Sequence, residues 1–163
     1  MPQEIVGGVH ADKRGVLRFC NEFDMGAVKR FYTISNSAEC PVRGWIGHKK
    51  ETKWFFPLKG KTTIVLEPMD NSRAERAVPV DEGNLINHVD HVETGSSSTC
   101  SACSTRLKTY TLSSDAPSVL KVPPGNWFCI KQDGNAEVMV FSDCKVGEFK
   151  DDDFRKPLED GSL

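Results

Sequence analysis

From residue 16 onward the chain repeats one pattern: a run of a few β-branched or aromatic residues, a tight-turn sequence, then another such run. The runs cover residues 16–19, 29–34, 53–58, 62–66, 107–112, 119–122, 127–131 and 138–141, and helical periodicity is nearly absent between them. Asp12-Lys13-Arg14-Gly15, Lys59-Gly60-Lys61, Pro123-Pro124-Gly125-Asn126 and Asp133-Gly134-Asn135 separate them. Each supplies the fixed or positive φ that a tight turn needs. Short strands punctuated in this way predict an all-β antiparallel sandwich or barrel.

With 163 residues, the chain fits a single domain, 1–163, able to bury about 70% of the surface its unfolded form exposes. A formal net charge of -2 gives no general attraction to a nucleic acid polymer or an anionic membrane, so any anion must be bound locally. No apolar run approaches a membrane span, and residues 1–8 lack a charged start followed by a long apolar stretch. A cytoplasmic protein is expected on that basis. The 6 cysteines are scattered through a chain large enough to fold without disulfides and are read as free thiols.

One segment interrupts the pattern. Residues 69–106 are polar, with Ser96-Ser97-Ser98 near the middle, and form a long loop excursion of a length that is uncommon in compact domains. Within it His88-x-x-His91 and Cys100-x-x-Cys103 carry nitrogen and sulfur donors in pairs suited to tetrahedral zinc, against the competing reading of a thiol-bearing loop. Near the other end, Asp151-Asp152-Asp153-Phe154-Arg155 predicts a short helix whose carboxylates suit a positive N-terminus, before a polar tail over 158–163.

The chemistry concentrates in Arg43-Gly44-Trp45-Ile46-Gly47-His48-Lys49-Lys50, just before the run at 53–58. It sets a guanidinium, an imidazole and two ammonium groups side by side, a combination that binds an anion and moves a proton. Lys29-Arg30-Phe31-Tyr32 upstream and Val122-Pro123-Pro124-Gly125-Asn126-Trp127 downstream are expected to join it in one site.

The order Asp12-x-Arg14-Gly15, Val28-Lys29-Arg30-Phe31-Tyr32-x-Ile34, Arg43-Gly44-Trp45-x-Gly47-His48-Lys49-Lys50, Leu58-x-Gly60, Val122-Pro123-Pro124-Gly125-x-Trp127 and Asp152-Asp153-Phe154-Arg155 resembles the FdtA/WxcM-like sugar-nucleotide ketoisomerases and epimerases. These are cupin-type barrels related to the dTDP-4-dehydrorhamnose 3,5-epimerases. The resemblance spans nearly the whole chain except 69–106. It implies an RmlC-like jelly roll, a homodimer that protects open strand edges, and a nucleotide-linked 4-keto-6-deoxy sugar as substrate. Either a shift of the ketone to a neighbouring carbon or an inversion beside it passes through an enolate or enediol, and neither needs a cofactor.

In the ketoisomerases this motif reads Arg-Gly-x-His-x-His, and here Ile46 stands at the first histidine and His48 at the second. His48 is therefore the expected base and Tyr32 the expected acid, with Arg43 and Lys50 facing the enolate oxygen. Arg30 and Arg14 suit the diphosphate, since a guanidinium fork pairs with two oxygens at once. Trp54 and Trp127 are expected to wall the barrel mouth. The competing readings are core packing for the tryptophans, an ion pair between strands for Arg30 and Arg43, and a satisfied or solvent-facing histidine for His48.

Metal-binding cupins add a histidine in their second motif, where this chain has Phe128, so a metal in the barrel is not expected. A cupin that binds a sugar nucleotide or glycan without catalysis, as a sensor or a transferase partner, is the alternative function.

Overall fold

The computed structural model of this chain describes residues 1–69 and 107–158, together with the strand Val78–Pro79. Among these residues there is no helix. The strands are β1 (Gln3–Val6), β2 (Gly8–Asp12), β3 (Gly15–Phe19), β4 (Arg30–Ile34), β5 (Val42–His48), β6 (Lys53–Lys59), β7 (Lys61–Pro68), β8 (Val78–Pro79), β9 (Lys108–Ser113), β10 (Ser118–Val122), β11 (Asn126–Gln132), β12 (Glu137–Ser142) and β13 (Phe154–Lys156). They form a 5-stranded sheet in the order β1-β10-β6-β12-β4, a 6-stranded sheet in the order β8-β13-β5-β11-β7-β9, and a separate β2-β3 hairpin. Every pairing is antiparallel.

The two large sheets enclose one apolar interior. Phe55 from β6, Leu120 from β10 and Val140 from β12 meet Ile46, Ile64 and Phe128 from the opposite sheet. Phe55 and Ile64 are fully buried, and each contributes roughly 1.5–3 kcal/mol by leaving water. Because strand side chains alternate, Trp54 and Phe56 fall on the other face of β6, in an outer cluster with Val119, Phe141 and Phe23.

The runs read from sequence correspond to β3, β4, β6, β7 and β9–β12. Gly60 and Gly125 turn the chain at φ 67 and 78, the left-handed region that favours glycine. Two expectations differ from the structure. The Arg43–His48 motif is not a lead-in to a strand but is itself the strand β5, between β13 and β11. Its glycines weaken the strand signal, yet Gly47 is needed there: an added Cβ would lie 2.6 Å from Cε3 of Trp127, its register partner. Nor do residues 151–155 form a helix. The backbone from Phe154 is strand β13 along β5, and the Asp152 carboxylate is occupied by backbone donors elsewhere, leaving it no helix end to cap.

A β-bulge sets the facing of β5. Phe128 pairs with Ile46 but Ile130 with Arg43, so three steps on β5 match two on β11. Val42 and Trp45 thereby both pack on the outer cluster around Trp127, while Ile46 joins the interior. Gly47→Ala is expected to cost about 1–3 kcal/mol by overpacking against Trp127. In urea unfolding this appears as a lower midpoint at unchanged slope, and an unchanged midpoint would contradict the close approach.

Candidate active site

Register brings the polar side chains of three adjacent strands to one end of the barrel. Ser142, the last residue of β12, lies opposite Arg30, the first of β4, and also opposite Lys53, the first of β6. Directly opposed residues share a face, and that face is the interior, as the next inward residues, Tyr32, Phe55 and Val140, pack on the core. From the facing sheet β5 ends with His48, also buried. The loop that follows, residues 49–52, carries Glu51 between the two sheets.

Glu51 is the hub of this end. One oxygen, Oε1, accepts from Lys53 Nζ at 2.6 Å, from Arg30 Nη2 at 3.0 Å, and from the Ser142 hydroxyl. The other, Oε2, lies 3.4 Å from His48 Nδ1. Burial alone would raise its pKa, but the Lys53 charge, the hydrogen bonds from Lys53 and Ser142, and His48 outweigh it and hold the carboxyl below its usual range. Lys53 also donates to the Tyr32 hydroxyl at 3.3 Å. Arg30 Cζ and Lys53 Nζ each lie 5.5 Å from the Tyr32 ring centroid. Arg30 Nε is buried without a hydrogen-bond partner.

His48 is fixed from the far end of the chain. Its Nδ1 lies 2.6 Å from the backbone oxygen of Asp152. A carbonyl only accepts, so Nδ1 carries the proton and Nε2 keeps a free lone pair. The Asp152 carboxylate, itself buried, accepts backbone N–H groups from Lys49 at 2.7 Å, Lys50 at 2.9 Å and Glu51 at 3.0 Å. Burial first, and the Lys53 charge second, push the His48 pKa below the ordinary imidazole value. The ring is thus held neutral, with one basic nitrogen.

The structure brings together only part of the predicted set. His48, Tyr32 and Arg30 share the barrel end. Arg43 is exposed and enters β5 five residues before His48, roughly 16 Å away at about 3.3 Å per residue. Lys50 is exposed, its ammonium 5.6 Å from the Phe149 ring centroid and its N–H on Asp152. Arg14 lies at the tip of the β2-β3 hairpin, paired with Asp12 at 2.6 Å.

Neither tryptophan walls the mouth. Trp54 packs outside the 5-stranded sheet, and Trp127 packs outside the other with Trp45, where the Lys156 ammonium lies 5.2 and 4.5 Å from the two ring centroids. Arg30 is ion-paired, though with Glu51 of the loop at 49–52 rather than with a neighbouring strand. His88, His91, Cys100 and Cys103 lie outside the described residues, as does nearly all of the 69–106 excursion.

Sequence reasoning missed Glu51, Lys53, Ser142 and Asp152. The available signal was Glu51-x-Lys53 at the mouth of a strand whose next inward residue is Phe55, where a lysine on a buried face requires a carboxylate.

No protein-family model matches the chain, and no curated protein matches it in sequence. Several solved structures are similar to it. A dTDP-sugar isomerase from Desulfovibrio desulfuricans has a TM-score of 0.65 at 18% identity, covering 98% of this chain and 85% of its own. QdtA, a sugar 3,4-ketoisomerase from Thermoanaerobacterium thermosaccharolyticum in complex with TDP, scores 0.59 at 18% identity over 95% of this chain and 88% of its own. The RmlC epimerase of Mycobacterium tuberculosis scores 0.56 at 16% identity over 88% and 64%. What is shared at these identities is architecture, and the chain has the RmlC-like, cupin-type jelly-roll fold that its motifs implied.

Proposed function

We propose that this chain is a sugar-nucleotide isomerase or epimerase acting on a dTDP-4-keto-6-deoxyhexose-type substrate through an enolate or enediol. The observation that carries the proposal is His48: a buried imidazole with its proton committed to Asp152 and its Nε2 free, at the barrel end where Tyr32 also sits. A neutral positioned imidazole is a general base worth roughly 10²- to 10⁴-fold in rate. Arg30, with an unpartnered Nε beside that end, is the guanidinium suited to a phosphate oxygen. The fold shared with QdtA and with a dTDP-sugar isomerase supports the same substrate class.

The protein works in this reading as a cytoplasmic homodimer. Among the described residues Cys20, Cys40, Cys129 and Cys144 are free thiols, the state that a reducing compartment maintains. Among the described residues, strands β1 and β4 are the edges of the 5-stranded sheet and pair with no further strand there, which suits a second copy. Light scattering in solution tests the dimer, and a mass of one chain removes it.

The second reading is a cupin that binds a sugar nucleotide without turning it over. Ile46 favours it, because at the position of the ketoisomerases' first histidine this chain packs a side chain into the apolar core.

Solvent-deuterium incorporation into dTDP-4-keto-6-deoxyglucose separates the two readings. Turnover with exchange is expected, falling by about 10²-fold or more in His48→Asn. Nucleotide-sugar binding by calorimetry with no exchange at all establishes the binding-only protein instead.

The pH dependence has a defined sign. The working form of His48 is neutral, and its pKa lies below the ordinary value of about 6.5. Exchange is therefore expected to rise with pH through a midpoint under about 6.5 and to be level at neutrality. A midpoint above about 6.5 excludes His48 in this environment as the base.

A further inference from the structure

Lys53 opens β6 with its side chain inside the barrel and almost no exposure. Burying an ammonium is costly unless it is paired and hydrogen-bonded. It has three N–H groups to place. One goes to Glu51 Oε1 at 2.6 Å, and another to the Tyr32 hydroxyl at 3.3 Å. Lysine accepts nothing, so the phenol oxygen accepts in that bond and its own proton is left to point elsewhere.

Charge at this end is not balanced by Glu51 alone. Arg30 also bonds Glu51, at 3.0 Å, so two cations face one carboxylate. The Asp152 carboxylate is occupied by three backbone N–H groups. The Lys53 ammonium is thus the charged group in hydrogen-bond contact with the phenol oxygen.

We propose that Lys53 enables Tyr32 to act as the acid–base group of this site, holding the phenol oxygen and balancing the negative charge it acquires, with Glu51 positioning Lys53. This rests on the isomerase reading above. In a ketone shift, His48 Nε2 takes the proton from the carbon beside the carbonyl, and the electrons of that C–H bond form the enediol double bond. The carbonyl π electrons move to its oxygen, which receives the Tyr32 proton. The resulting phenolate faces the Lys53 ammonium. It then takes the proton of the neighbouring hydroxyl, whose O–H electrons form the new carbonyl. The enediol double bond takes the proton back from His48 onto the former carbonyl carbon. Both residues end as they began, and no oxidant or reductant enters.

Lys53 and Glu51 thus act through Tyr32 and are positioning residues. The test removes both charges together, so that neither is left buried alone, in Lys53→Met/Glu51→Gln. The pair Lys53→Gln/Glu51→Gln replaces it should the first not fold. With dTDP-4-keto-6-deoxyglucose, formation of the shifted ketone is expected to fall about 10²- to 10⁴-fold, and deuterium exchange to fall with it, since Tyr32 protonates the carbonyl oxygen in the step that His48 begins. Tyr32→Phe should lose as much, and combining it with the charge-free pair should lose little more, the non-additivity of residues that act together.

Normal ketone formation in the charge-free pair overturns the role of Lys53 while leaving His48 as base. Losses that multiply in the combined variant show Lys53 acting apart from Tyr32 and overturn it as well. Absence of exchange in the unmodified protein removes the isomerase reading, and this inference with it.

Discussion

The Asp152 carboxylate, buried beneath three backbone N–H groups of the loop after β5, is the interaction on which the rest of the site depends. A charged acceptor with well-placed donors forms the stronger class of hydrogen bond, about 1.5–3 kcal/mol net apiece in typical cases. It fixes the path of residues 49–51, and that path puts Glu51 between the sheets. Its backbone oxygen, on the same residue, fixes the tautomer of His48. One residue therefore orients the imidazole and the carboxylate beside it.

The electrostatics follow from that placement. Glu51, buried, stays ionised because Lys53, Arg30 and Ser142 converge on one of its oxygens. Lys53 and Glu51 in turn act on His48 in opposite directions, the cation lowering its proton affinity and the carboxylate raising it, and burial tips the balance to the neutral ring. The cluster illustrates why buried charges come in groups: each carboxylate or ammonium has a stated partner, and removing one leaves another uncompensated.

Most of the barrel was legible from the chain because its strands are short, β-branched or aromatic, and bounded by turn residues whose glycines take positive φ. The motif strand β5 was not. Two glycines mask its propensity, and the need for Gly47 arises only from Trp127, eighty residues later. The tryptophans misled for a related reason. Alternation shows that Trp54 and Phe55 take opposite faces but not which face is inside, and the apolar residues of β10 and β12 decide that. His48, Tyr32 and Arg30 could be named because the local motif carries them, and they lie together at one end of the barrel. Asp152 was not, since a run of three carboxylates reads equally well as a helix start, and its true partners are backbone groups with no sequence signature.

His48 and the oxygen that orients it are 104 positions apart. The pairing of β4 with β12 reaches just as far along the chain, from Ile34–Val138 to Arg30–Ser142. Asp152 itself lies in neither of these strands, between the end of β12 and the start of β13. The tautomer of His48 is thus set by a segment other than the strands that build the interior around it, so the protonation pattern of the barrel end and the packing of the barrel are separable properties of this chain.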